Sequence, residues 1–208
     1  MDEVKKVALV TGCSSGIGLA TAIELAMNGY ITYASMRADN NPNVSERKSW
    51  DERKEPLEKK FLSTEGHEGK VMHIIELDVS DDESVSNAFK QIESDYGRID
   101  VLVNNAGHGF FGSVESTKIE DFKSQFESDF YGTIRTIQKA LPFMRAQESG
   151  RIINVSSVAG FTGFPVVPAY VSCKFAIEGL TESLRHELYE ADDSKRIEAI
   201  LIEPGIVN

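Results

Sequence analysis

Tyr170 and Lys174 stand four residues apart, and Ser157 lies thirteen residues before the tyrosine. On a helix, positions i and i+4 share a face, so an ammonium would lie beside a phenol. A free phenol holds its proton too tightly to shuttle it well at neutral pH, and a neighbouring cation favours the phenolate. A serine hydroxyl brought to the same place would hydrogen-bond a substrate oxygen. The three types together suit proton transfer to and from an oxygen atom, with Tyr170 as acid or base, Lys174 as the tuning cation and Ser157 holding the oxygen. Tyr-x-x-x-Lys also occurs in ordinary amphipathic helices, so its meaning depends on the rest of the chain.

A second constellation lies near the start. The apolar run Val7-Ala8-Leu9-Val10 is followed by Thr11-Gly12-Cys13-Ser14-Ser15-Gly16-Ile17-Gly18 and then by a helix-forming stretch from Leu19. Strand, glycine-rich turn and helix start make a phosphate site. Glycines let the backbone approach a pyrophosphate, and the helix start offers free N–H groups and a positive dipole. The spacing Gly-x-x-x-Gly-x-Gly differs from the commoner Gly-x-Gly-x-x-Gly fingerprint, and no Gly-Lys-Ser/Thr closes it as in a P-loop.

The elements that must position these groups alternate. Strand-like runs are Val7–Thr11, Tyr30–Met36, Val71–Leu77, Ile99–Asn104, Arg151–Ser156 and Arg196–Ile202; helix-like stretches are Gly16–Asn28, Asp82–Tyr96, Lys118–Arg145 and Ala169–Tyr189. Alternation of this kind predicts an α/β fold, a doubly wound parallel sheet with helices on both faces. Each strand is followed by a candidate ligand group: Gly12, Arg37, Asp78, Asn105, Ser157 and Pro204-Gly205. In open α/β sheets ligands bind outside the carboxyl ends of the strands, so these markers share one edge.

Thr11 to Gly18, Asn104-Asn105-Ala106-Gly107, Ser157, Tyr170-x-x-x-Lys174 and Pro204-Gly205 resemble, in order and over the whole chain, the short-chain dehydrogenase/reductase family of classical type. Tyr33-Ala34-Ser35-Met36-Arg37 and Lys174-Phe175-Ala176-Ile177-Glu178-Gly179-Leu180 are most similar to its hydroxysteroid and retinol dehydrogenase side. The resemblance implies a Rossmann fold and reversible hydride transfer between a nicotinamide dinucleotide and a carbonyl or secondary alcohol. It implies that Gly12, Ser14, Ser15, Gly16, Ile17 and Gly18 cradle the cofactor, that Asp78 and Val79 contact adenine, and that Asn105, Ala106 and Gly107 back the adenosine side. Tyr170 and Lys174 would also touch the cofactor, with Lys174 on the nicotinamide ribose, and Pro204, Gly205 and Val207 would border the nicotinamide. Two departures stand out. Asp129 occupies the place where the family usually has the Asn that helps to hold a water near the lysine. The chain also stops after Pro204-Gly205-Ile206-Val207-Asn208, where relatives continue with a substrate-covering loop, so the C-terminal part is expected to be missing.

The end of the second strand bears on the cofactor. An NAD enzyme usually offers a carboxylate there, whereas NADP needs a cation for its 2′-phosphate. No acid occupies Ser35-Met36-Arg37, and Arg37 is placed to grip a phosphate, so NADP is expected. NAD stays open, because Ser15 replaces the basic residue often found before the second glycine in NADP enzymes of the family. Apolar loops at His108–Phe111 and Phe161–Val167 suggest a hydrophobic steroid-, retinoid- or lipid-like substrate. The helices Lys118–Arg145 and Ala169–Tyr189 resemble those that pair subunits in the family, implying a homodimer or homotetramer. The alternative function is a catalytically weak dinucleotide-binding sensor or scaffold.

The chain's 208 residues suit one domain, 1–208, and its net charge of -11 argues against nucleic acid and anionic membranes as partners. No stretch approaches the roughly 20 apolar residues of a membrane span. The opening Met1-Asp2-Glu3-Val4-Lys5-Lys6 lacks the apolar core of a signal peptide, and Cys13 and Cys173 read as packing residues, so a cytoplasmic location is expected. His67, His73, His108 and His186 have no metal-ligand spacing and read as structural or surface residues; no metal is expected. Residues 38–70 form a charge-rich surface segment with an apolar stripe of Trp50, Leu57 and Phe61, and Pro56 is expected to kink or break a helix there.

Overall fold

Uninterrupted apolar runs have no polar face to turn toward water, so they become strands covered on both sides. In the computed structural model, which describes residues 5–38, 49–189 and 196–205, this is the fate of β1 (Val7–Val10); β2 (Ile31–Met36) is equally buried although Thr32 and Ser35 interrupt its apolar residues. They join β3 (Met72–Glu76), β4 (Val101–Asn104), β5 (Ser149–Val155) and β6 (Arg196–Ile202). The sheet is parallel throughout, in the order β3-β2-β1-β4-β5-β6. Val7 faces Ile31 on one side of β1, and Ala8 faces Val101 on the other. Strand order reverses between β1 and β4, which opens a crevice at their carboxyl ends.

Among the described residues six α-helices flank the sheet: α1 (Gly16–Met27), α2 (Trp50–Leu62), α3 (Asp82–Tyr96), α4 (Ile119–Gln125), α5 (Gly132–Gln147) and α6 (Pro168–Glu187). The pleat sends alternate residues of β1 to opposite cores. Val7 and Leu9 meet Val85, Phe89 and Ile92 of α3, Met144 of α5 and Leu184 of α6. Ala8 and Val10 meet Ala22 of α1, while Leu19 and Met36 pack with Leu57 of α2. The doubly wound arrangement follows directly, with helices on both faces.

Two elements differ from expectation. The stretch Lys118–Arg145 is two helices separated by a π-helical turn, Phe126–Tyr131. Every residue there tolerates α-helix, so propensity gives no sign of the wider turn. Pro56 does not break α2, which runs through it. Leu57 and Phe61 are buried beyond the proline, and a Ser49–Glu52 capping box fixes the start, so packing outweighs one lost backbone bond. Lys54 pairs with Asp51 at 3.5 Å and Lys59 with Glu55 at 2.7 Å on the solvent side. The rest of the charge-rich segment, residues 39–48, lies outside the described residues.

A buried polar network locks the strands beneath the crevice. Register places Asn104 opposite Asn154. Asn104 Nδ2 donates to Asn154 Oδ1 at 2.9 Å, and Thr136 Oγ1 donates to Asn104 Oδ1 at 2.6 Å. Asn154 Nδ2 in turn donates to Thr181 Oγ1 at 2.8 Å. These bonds tie β4 and β5 to α5 and α6, the elements that carry the candidate chemistry. Among the described residues no helix is long and apolar enough to cross a membrane.

Candidate active site

The glycine turn is held by the turn after β4. Thr11 Oγ1 accepts from the N–H groups of Asn105 at 3.0 Å and Ala106 at 2.9 Å, while Asn105 Nδ2 donates to the carbonyls of Thr11 at 2.9 Å and Gly12 at 3.2 Å. Contact is close enough to require glycine. A Cβ at Gly12, which has φ +71°, would lie 2.7 Å from the Ala106 Cα; one at Gly18 would lie 2.4 Å from both the Gly12 carbonyl oxygen and Asn105 Nδ2. Gly18 therefore serves packing of the turn rather than lining the cavity above it. Gly16, at φ +60°, opens onto empty space instead.

α1 begins bare. Its N-cap Ser15 makes no side-chain cap bond and its first turn holds no acid. α3, by contrast, has Asp81 accepting from Glu83 N and Ser84 N, with Asp82 and Glu83 in the first turn. The first N–H groups of α3 are satisfied internally, whereas those of α1 remain for an outside anion.

Above this turn lies a cavity of about 330 Å³. It is lined by Gly12, Ser14, Ser15 and Ile17 of the glycine turn and α1, by Met36 and Arg37 at the end of β2 with Arg53 of α2, by Leu77, Asp78 and Val79 after β3, and by Asn105, Ala106 and Gly107 after β4. The Asp78 carboxylate is turned into its own loop, accepting from Ser80 N at 2.9 Å and Ser80 Oγ at 2.5 Å. A second cavity, about 340 Å³, is lined by Ser157, Tyr170, Lys174, Asp129, Pro204 and Gly205. Ile17, Asn105, Gly107 and His108 line both, so the two form one continuous cleft. Val207 lies outside the described residues.

The second cavity brings the trio together. Ser157 lies two residues past the end of β5 and caps a short 3-10 turn, its Oγ accepting from Ala159 N at 3.1 Å. That bond uses a lone pair and leaves the hydroxyl proton to donate. Pro168 starts α6, a position where its missing N–H costs nothing, and the helix then presents Tyr170 and Lys174 on one face. Lys174 is 6% exposed. Its Nζ donates to the Val155 carbonyl at 3.0 Å and lies 5.4 Å from the centre of the Tyr170 ring.

Asp129 comes from the π-helical turn and is 1% exposed. Its Oδ2 lies 4.0 Å from Lys174 Nζ and accepts from Gln125 Nε2 at 2.8 Å. Its Oδ1 accepts from Ser128 Oγ at 2.7 Å and from His108 N at 3.3 Å. Burial pushes the Asp129 carboxyl above the usual carboxylate range, against the opposing pull of Lys174, Ser128 and His108. The same burial pushes the thiols of Cys13 and Cys173 up to about 12, which fits packing roles.

Several cleft residues escape sequence reasoning. Arg53 reaches the cavity from α2, far from any motif. Gln125 and Ser128 hold Asp129, but nothing in their local pattern marks them. His108, by contrast, heads the apolar loop expected to face the substrate, and it lines both cavities with its Nδ1 3.1 Å from Ser128 Oγ. Gly112, just past the apolar loop His108–Phe111, links it to the loop Phe161–Val167, its N–H donating to the Val166 carbonyl at 2.8 Å. Phe111 there is 87% exposed and Phe161 58%. Among the described residues no group of three or more His, Cys, Asp or Glu is placed to hold a metal ion.

A dinucleotide fits these residues. Gly16 leaves room where a side chain would stand, α1 has uncapped donors, and the cleft runs from there to Tyr170. The family profile described as short chain dehydrogenase matches residues 6–208. An uncharacterized oxidoreductase, YusZ, of Bacillus subtilis is 40% identical over 97% of this chain and 65% of its own length. Retinol dehydrogenase 8 of Bos taurus is 35% identical over 100% of this chain and 61% of its own. The chain thus spans less than two thirds of the length of these curated relatives. A crystal structure of a gluconate 5-dehydrogenase from Burkholderia cenocepacia, in complex with NADP and tartrate, superposes with a TM-score of 0.79 at 26% identity, covering 96% of this chain and 71% of that one. With a profile match across nearly the whole sequence and the matching motifs gathered in one cleft, the chain belongs to the short chain dehydrogenase family.

Proposed function

We propose that the protein is an NADP(H)-dependent oxidoreductase that interconverts a carbonyl and a secondary alcohol on a hydrophobic substrate. The observation that carries this reading is the meeting of Ser157, Tyr170 and Lys174 in the lining of a cavity continuous with the glycine-turn cavity. The bound nicotinamide would supply or accept the hydride. Ser157 donates its free hydroxyl proton to the substrate oxygen and holds it beside Tyr170. In the reducing direction Tyr170 gives its proton to that oxygen; in the oxidising direction it takes the proton back. The Lys174 ammonium stabilises negative charge as it develops on the phenol oxygen, and the Val155 carbonyl keeps the ammonium in place.

Arg37 at the end of β2 supports NADP(H) over NAD(H), and a relative of similar fold was crystallised with NADP. The linked loops bearing Phe111, Phe161 and Phe164 support a steroid-, retinoid- or lipid-like substrate, as does the likeness to a retinol dehydrogenase. The same reading takes the protein as cytoplasmic. It also takes it as a homodimer or homotetramer, for which the half-exposed Tyr131 and Phe175 beside α5 and on α6 offer apolar surface.

Steady-state turnover tests the proposal. A panel of hydrophobic ketones with NADPH, and of the matching alcohols with NADP, is expected to give cofactor oxidation or reduction, faster than with NADH or NAD. Asp129 near Lys174 favours a second reading, a sensor or scaffold that binds the dinucleotide without turning it over. Calorimetric binding of NADPH with no turnover on any substrate would select that reading instead.

A further inference from the structure

Arg37 is not the one cation at its end of the cleft: Arg53, on α2, lines the same cavity wall beside Met36 and Arg37. The simplest role for an arginine on an acid-rich helix is an intrahelical ion pair, which needs a carboxylate three or four residues away. Arg53 has none. Its neighbours at those spacings are Ser49, Trp50, Pro56 and Leu57. The nearby acids are committed elsewhere: Glu52 accepts from Ser49 N at 2.7 Å, and Asp51 and Glu58 face Lys54 at 3.5 and 4.0 Å. Arg53 instead turns to the cleft. Its Nη1 donates to the Arg37 carbonyl at 2.5 Å. That bond holds the side chain beside the end of β2 and spends one corner of a planar, five-donor fork, leaving, among the described residues, the rest of the fork for an anion.

The surroundings fit an anion too. The acid lining this cavity, Asp78, spends one carboxylate oxygen on Ser80 within its own loop. A protein of net charge -11 therefore gathers two guanidiniums at one edge of its cleft. α2 is held there by Leu57, which packs with Leu19 of α1 and Met36 of β2, so Arg53 approaches as part of a docked element.

We propose that Arg53 is a second ligand for the 2′-phosphate of NADP(H), closing over it from α2 while Arg37 approaches from β2. This rests on the NADP(H) reading above and adds to it a specificity-determining residue outside every motif. Two arginines with different approach directions can bind different phosphate oxygens at once, which a single side chain does less completely.

Isothermal titration calorimetry with adenosine 2′,5′-bisphosphate and with 5′-AMP tests this without catalysis, because the two ligands differ by the phosphate in question. The unsubstituted protein is expected to prefer the bisphosphate. Arg53→Gln is expected to lose roughly tenfold of that preference, with 5′-AMP affinity unchanged. Arg53→Lys, which keeps the charge and the helix surface but not the fork, should recover only part of it, and it carries the test if the Gln variant does not fold. In an Arg37→Gln background, Arg53→Gln should still weaken bisphosphate binding. A full preference retained in Arg53→Gln, equal weakening of both ligands, or no further loss in the Arg37→Gln background would each overturn the role of Arg53 while leaving NADP(H) use intact. No preference in the unsubstituted protein would overturn the NADP(H) reading itself, and this inference with it.

Discussion

The two ends of the cleft are built on opposite principles. At the Tyr170 end the groups around the half-buried phenol are buried and wired into the fold: Lys174 bonds to Val155, Asp129 accepts bonds from Gln125, Ser128 and His108, and the Asn104–Asn154 network lies beneath. At the glycine end the site consists of backbone, an uncapped helix start and arginines from two elements. One end must hold a phenol and an ammonium in fixed relation, so the surrounding core helps to orient them. The other must accept and release a charged ligand, so the N–H groups at the start of α1 stay uncommitted until the ligand arrives. Substitutions at the first end should therefore damage stability and catalysis together, and those at the second should change binding with little effect on folding.

Lys174→Met should give the largest effect. It removes the ammonium beside Tyr170 and leaves the buried Asp129 without its cation, so kcat/KM should fall by about 10³-fold and the melting temperature should fall with it. Normal turnover in a folded Lys174→Met protein would break the contrast at its strongest point. Asn104→Ala comes next. It strips partners from Thr136 and Asn154 and should cost about 2 kcal/mol in denaturant unfolding, without altering the NADPH to NADH binding ratio. At the open end, Arg37→Ala should reduce NADPH affinity about tenfold while its melting curve stays near the parent's. A large loss of stability there would erase the distinction.

The smallest effect sharpens the comparison through pH. Burial raises the Asp129 carboxyl in the folded state, so folding favours its protonated form. Below the unfolded carboxyl's own value, about 3.9, both states are protonated and Asp129 adds no penalty. As pH rises through the folded value, the buried charge forms and stability is lost. Asp129→Asn should thus look most favourable, relative to the parent, near neutral pH and least favourable near pH 4. Melting curves across that range check the sign, and a difference that shrinks as pH rises would contradict it.

Sheet, helix order and the ligand edge are legible in the sequence because β1 and most of β4 are apolar runs and each strand is followed by a marker residue. Asp82–Tyr96 could be bounded at both ends, since Asp81 caps it and Gly97 terminates it in the left-handed conformation. The glycine turn was legible for a related reason: few side chains tolerate the approach to Ala106 and Asn105. The π-helical turn was not, because Phe126–Tyr131 has ordinary helix propensities and the wider turn is imposed by packing. Arg53 was hidden because its role depends on α2 docking beside β2, a tertiary event. The network of Asn104, Thr136, Asn154 and Thr181 depends likewise on strand register and on two helices meeting over it.

The central claim is that the Tyr170 phenol passes a proton to and from the substrate oxygen beside a bound nicotinamide. Tyr170→Phe removes that hydroxyl and little else. Measured on one preparation against one hydrophobic ketone, its kcat/KM should fall about 10²–10⁴-fold while NADPH affinity stays within about threefold of the parent. Turnover near the parent's rate in that variant would contradict the account.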